Sequence, residues 1–327
     1  MIDSGFRVTL DPWSAEYDAS LLLAEADEPD ARVDLRVETA EWRALRPAAA
    51  PPFAAPCFVD GVRRVDHRLR IVPGAEGEGG TRFGLLGTFA VGACASDVQP
   101  GIVHEIVSRV ACVGGGLVLP SFEVPRERGR MALLFQGHTV AENTPLAPVQ
   151  GLQNAMRRAE AVLAAEIAER GGLVFLDGPL TFAGGARGAV VGFVKRLLRA
   201  YLPADAAALL PRLDVGERTP LFLVAHEAHP RYSWYARIAH GRAVEDPLTG
   251  VVRLETAADD GRDAARARAD ASACLLPAFA SDPAHDPRAP QNLLPIGGLE
   301  SRLRHLMGDP LMVRRAIESY LHARAAA

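Results

Sequence analysis

A chain of 327 residues with an apolar fraction of 49% has room for one large globular domain or two modest ones. A net charge of −4 excludes a basic coat for nucleic acid but leaves room for a local basic groove. Two such local clusters exist, at Arg63, Arg64, Arg68 and Arg70, and at Arg126, Arg128 and Arg130. Ala, Arg and Gly are abundant and Lys is nearly absent, which reads as compositional bias. Cys57, Cys94, Cys112 and Cys274 are widely spaced, with no CxxC and no zinc spacing. They read as buried reduced thiols, which suits a cytoplasmic location. Met1-Ile2-Asp3-Ser4 has no basic start and no apolar core follows it, so no signal peptide is expected. No run is long enough to span a membrane, and no membrane partner is expected.

Taken in order, residues 5–10 alternate like a strand, and residues 14–26 read as a short helix with an acidic tail. Residues 32–38 alternate as a half-exposed strand. The Pro-rich stretch 46–52 is a stiff connector, so residues 1–50 are taken as an accessory segment and 51–327 as the main domain. From Phe58 a strand runs to a turn at Gly61, and Val65 to Val72 forms a second strand with alternating Arg. After a Gly/Glu loop (74–80), Phe83 to Ala95 and Ile102 to Val113 read as strands; residues 114–130 read as a flexible excursion, and Met131 to Phe135 as a short apolar segment.

A helix is expected from about Leu152 to Arg170, with Leu152, Met156, Leu163 and Ile167 on its apolar face and Gly171-Gly172 at its end. Leu173 to Leu180 is an apolar run that ends on Asp177 and stops at Gly178-Pro179, as a buried strand does. Residues 188–194 form another strand, with Lys195 to Tyr201 turning helical. Further strands are expected at Leu221 to Val224, Tyr232 to Ala239 and Val251 to Thr256, and helices at 260–273, Gly298 to Leu306 and Leu311 to Ala325. The order indicates a mixed α/β or α+β domain.

Asp60 and Asp177 each follow an apolar strand and precede Gly. A carboxylate at that place is ordinary turn chemistry, and it is also where open α/β sheets put their sites. Glu160 discriminates between the two. It lies four residues after Met156, three before Leu163 and seven before Ile167, which places it on the apolar face of its own helix. A lone buried carboxylate costs several kcal/mol unless compensated. Either an Arg such as Arg157 pairs with it, or it faces a site made with Asp60 and Asp177. Three such carboxylates form a hard-oxygen cage suited to Mg²⁺ or Mn²⁺ rather than zinc. Cations held that way support phosphodiester hydrolysis.

These residues also carry a family resemblance. Phe58-Val59-Asp60-Gly61-Val62-Arg63-Arg64 resembles the first motif of the NurA nuclease family. Met156-Arg157-Arg158-Ala159-Glu160 resembles its helical acidic motif, and Leu173 to Leu180 its second aspartate motif. Gly192-Phe193-Val194-Lys195 is similar to the following strand with its lysine. The resemblance covers roughly residues 55–310, and the ordered set of four motifs carries it. It implies an RNase H-like mixed sheet flanked by helices and a Mn²⁺-dependent (or Mg²⁺-dependent) nuclease acting on DNA ends, single- or double-stranded. It implies a homodimer that works with a HerA-type hexameric ATPase in end resection, repair or defence. Asp60, Glu160 and Asp177 would be metal ligands, and Lys195 would lie near the scissile phosphate. The family's C-terminal Ala-His-Glu is matched here only in part: Leu299 stands in the histidine's place and Glu300 is kept. Glu300, Asn292 or another His takes over, or the protein is a weak or inactive structural partner of a ring ATPase.

Other signals read as structural. His226 and His229 are not an HExxH pair, and Pro230 follows them. Residues 233–237 read as a strand whose aromatics make core or dimer contacts, with Arg237 a phosphate candidate. Gly184 to Gly188 is a turn rather than a P-loop, Asp66 and His67 are a strand's polar face, and residues 262–270 are a mixed-charge helix surface.

Overall fold

The computed structural model describes residues 6–10, 32–49, 53, 55–73, 80–96, 101–126, 131–180, 182, 188–195, 197, 201–225, 230–242, 245–282, 284, 286 and 289–325. The strands are β1 (Phe6–Leu10), β2 (Arg32–Asp34), β3 (Cys57–Pro73), β4 (Arg82–Ala95), β5 (Gly101–Val113), β6 (Phe122–Val124), β7 (Leu133–Thr139), β8 (Val174–Asp177), β9 (Val190–Val194), β10 (Phe222–Ala225), β11 (Arg231–Arg237) and β12 (Val251–Ala257). The helices are α1 (Ala147–Glu169), α2 (Ala204–Ala207), α3 (Arg262–Leu275), α4 (Leu294–Leu306) and α5 (Pro310–Ala325). The architecture is mixed α/β. Among the described residues twelve strands join one sheet, in the order β2-β10-β11-β12-β9-β8-β3-β4-β5-β7-β6, and β1 pairs with β3 off that path. The β3–β8, β8–β9 and β5–β7 pairs are parallel and the others antiparallel. Parallel strands covered on both faces read as continuous apolar runs, which is why Val174-Phe175-Leu176 stood out in the sequence.

The expected turn at Gly61 is not there. Residues 57–73 are a single strand, with an irregularity between Val65 and His67 where its pairing with β4 shifts. Gly61 serves close approach instead: a Cβ at that position would overlap Oε1 of Glu160 and come within 2.9 Å of Met156 Cγ. Asp60 is therefore a mid-strand residue and not the last before a turn. Asp177 does close its strand.

Side chains alternate across β3, and that alternation divides the core. Cys57, Val59 and Val65 pack with Leu152, Met156 and Leu163 of α1 on one face. Phe58 and Val62 pack with Leu299, Leu303 and Met307 of the α4 region on the other. Asp60 belongs by parity to the α4 face. Opposite it on β4 is Gly92, where a Cβ would meet Leu299, Leu303 and the His104 carbonyl, each at 3.0 Å. The absent side chain lets α4 lie close on the sheet beside Asp60.

Several local expectations need correction. Asp66 is not a solvent face: it is buried, accepting from Arg64 Nε at 2.7 Å and from Thr88 Oγ1 at 2.5 Å. Arg237 cannot meet a phosphate, because its buried guanidinium donates to the carbonyls of Thr249, Pro247 and Pro211. Arg268 and Asp270 of α3 are likewise engaged inside the protein, Arg268 with Thr256 and Asp260, and Asp270 with Arg218. The excursion 114–130 contains β6. Residues 32–38 form only three residues of strand, ended where Asp34 Oδ1 accepts the Arg36 N–H at 2.9 Å. Lys195, Leu197 and Tyr201 are not helical. The expected helix at 14–26, the Gly/Glu loop at 74–79, Arg128, Arg130, residues 183–187 and the His226/His229 pair lie outside the described residues.

The N-terminal stretch is tied into the sheet through β1 on β3 and β2 on β10. Glu38 clasps Arg218 at 2.8 Å, and Trp42 Nε1 donates to the Ala206 carbonyl at 3.0 Å. Cys57, Cys94 and Cys112 are buried, and burial pushes the Cys94 thiol up to about 11 and the other two up to about 12. No helix among the described residues is long and apolar enough to cross a membrane.

Candidate metal centre

Three elements deliver three carboxylates to one point. Asp60 comes from the fourth position of β3, Asp177 from the end of β8, and Glu300 from α4, four residues after the buried Ile296. One oxygen from each lies within 4.8 Å of the other two. Asp60 and Asp177 were expected together; Glu300 is the acid kept beside Leu299. Leu299 itself is sealed in the core, so it adds nothing to the site.

Glu160 is not in that close group. It projects from α1, on the other face of β3, and reaches toward the site over Gly61. It is buried, as its place on the apolar face predicts, while Glu166 and Glu169 are exposed. Burial pushes its carboxyl up to about 7, with Arg157 opposing the shift and Asp177 adding to it. Arg157 and Asp177 thus both lie near enough to act on its charge.

Asp60 is held well above the ordinary carboxylate range, first by burial and then by the charges of Asp177, Glu160 and Glu300, with Lys195 opposing them. Its Oδ2 is buried without a hydrogen-bond partner among the described residues. A buried acceptor left unmade is costly, and three convergent hard-oxygen donors beside it fit a divalent cation of the Mg²⁺ or Mn²⁺ class.

Lys195 closes the site. Its Nζ donates to Asp177 Oδ2 at 2.6 Å and to Asn292 Oδ1 at 2.7 Å. It is the single lysine in a chain with 36 Lys and Arg residues, all the others being Arg. A guanidinium is larger, planar and forked, whereas an ammonium is a compact point charge. In a chain so biased to Arg, the one place that keeps a Lys is the contact with Asp177. That lone lysine was a signal available in the sequence. Glu300 had a weaker one, in the motif half-matched around it.

A family model described as the NurA domain matches residues 142–295. Just under half of the chain is thus similar to a NurA domain. The matched stretch contains Glu160, Asp177, Lys195 and Asn292, while Asp60 and Glu300 lie outside it and reach the site through β3 and α4. Among solved structures, the NurA nuclease from Sulfolobus solfataricus is similar at 10% identity over 86% of this chain and 88% of that one, with a TM-score of 0.46. No curated protein matches the sequence significantly.

Proposed function

We propose that this protein is a metal-dependent deoxyribonuclease that hydrolyses phosphodiester bonds. The observation that carries the reading is the convergence of the buried Asp60 and Glu300 with the half-buried Asp177, with an orphaned Asp60 oxygen, beside an ammonium. The NurA domain supports the same chemistry. Asp60, Asp177 and Glu300 would hold the cation, with Glu160 as the fourth carboxyl behind Gly61. A divalent cation bound there offsets phosphate charge and makes water a better nucleophile.

The chain's own groups do the rest. Lys195 spends two N–H donors on Asp177 and Asn292, which leaves the third for a non-bridging phosphate oxygen. In the metal-free chain burial holds the Glu160 carboxyl at about 7, and in this reading its carboxylate is the proton acceptor. Water adds to phosphorus as its proton passes to the Glu160 carboxylate; the P–O bond to the leaving oxygen breaks, and that oxygen takes a proton from solvent.

In the same reading the cation is Mn²⁺ or Mg²⁺, the substrate is DNA at single- or double-stranded ends, and the protein works in the cytoplasm as a homodimer with a HerA-type ATPase. These finer points rest on the family resemblance. An RNase H-like domain over residues 51–327, with 1–50 accessory to it, is supported by the strand order β5-β4-β3-β8-β9, three antiparallel strands followed by two parallel to β3. Leu299 in place of the family's histidine is the one feature that favours a catalytically weak partner of a ring ATPase.

The test is cleavage of end-labelled linear single- and double-stranded DNA with Mn²⁺, Mg²⁺ or EDTA. The expected result is cleavage that needs metal and is lost in Asp177→Ala. Metal-independent cleavage, or full activity in the variant, contradicts the assignment. A folded wild type that cleaves nothing, with or without a ring ATPase, favours the inactive partner.

A further inference from the structure

Asn292 lies just before α4, between Pro290 and the helix, and its side chain is fully buried. Its Oδ1 accepts from Lys195 Nζ at 2.7 Å and its Nδ2 donates to Asp286 Oδ2 at 2.5 Å. An ammonium has only donors and an ionised carboxylate only acceptors, so a single orientation of the amide satisfies both partners. Asp286 thus fixes the amide, and the amide fixes the ammonium against Asp177. The anchor is rigid: the Ser281 N–H donates to the Asn292 carbonyl at 3.0 Å, and Ala280 bridges to Leu293. Two residues later α4 begins, and its second turn delivers Glu300.

We infer that Asn292, with Asp286 behind it, is a positioning residue that holds the Lys195 ammonium against Asp177 with its third N–H aimed at the substrate phosphate. The inference rests on the nuclease reading for its consequence in catalysis, but not for the geometry it describes. It also accounts for the single lysine: a flexible stem that carries three donors on one compact atom is held at two of them and keeps the third at the same point. A group that orients a charged residue from behind is worth about 10–100-fold in activity or affinity.

Two measurements separate this inference from the nuclease reading. The first uses protein labelled with ¹⁵N-lysine, in which one ammonium resonance reports Lys195 alone. The expected result is a protected wild-type signal that broadens or exchanges rapidly in Asn292→Ala, without loss of the folded circular dichroism spectrum. A wild type with no protected signal, or a variant with an unchanged one, overturns the inference whether or not the protein cleaves DNA. The second is a double-mutant cycle on DNA cleavage. Asn292→Ala should lower kcat about 10–100-fold with KM little changed, and should add nothing in a Lys195→Met background. Additive losses would mean that Asn292 acts by another route. Asn292→Asp sets two carboxylates face to face and should be impaired; Asn292→Asp with Asp286→Asn restores the donor and acceptor pattern and should recover both the signal and the activity.

Discussion

Burial decides the behaviour of the site at the scale of single residues. Glu160 sits on the apolar face of α1, so the folded chain holds its proton more tightly than the unfolded chain does. The native state then binds more protons than the unfolded state between about 4.5 and about 7. Stability from this group is fully present below the lower value and is lost as pH rises through the upper one. Denaturant unfolding in EDTA should show the wild type weakening across that window by an amount on the order of a few kcal/mol. In Glu160→Gln the decline should be shallower, with Asp60, shifted in the same direction, still contributing to it. A variant as pH-dependent as the wild type would remove Glu160 from the account. The sequence made Glu160 legible because helical offsets are a local property. Gly61 misled for the same reason, since Asp-Gly after an apolar run is turn chemistry unless a helix from elsewhere needs the space above it.

Among the elements, β3 and α4 organise the site, and they were legible to different degrees. The apolar run of β8 and the long helix α1 announced themselves by pattern. β3 was split in two by its glycine, and α4 begins at Leu294, earlier than Gly298, because Pro295 sits in the first turn, where a missing N–H costs nothing. No spacing rule could bring Glu300 to Asp60 across 240 positions; the close packing of α4 at Gly92 does so. The N-terminal stretch shows the same dependence on distant partners. Arg218 is buried between Glu38 and Asp270, at 2.8 and 2.6 Å, and Glu38 also accepts the Leu221 N–H at 2.7 Å. Removing the arginine takes away the buried cation of Glu38 and leaves it the more exposed Arg266 at 3.6 Å. Arg218→Ala should therefore cost about 3–5 kcal/mol in urea unfolding. A loss under about 1 kcal/mol would mean that the network is no better than a surface pair.

For the molecule as a whole, the composition argues against broad attraction to nucleic acid, since the net charge is −4. Selectivity for a phosphodiester must then come from the site, where an acidic cluster needs a cation before it can tolerate an anion. The measurement that tests this most directly is calorimetric titration of the metal-free protein with Mn²⁺, alongside Asp60→Asn. Asp60 carries the orphaned oxygen, so the wild type should bind Mn²⁺ saturably and the variant should lose that binding while keeping its fold. A wild type that takes up no Mn²⁺, or an Asp60→Asn variant that binds it equally well, would contradict the assignment of this cluster as a metal centre.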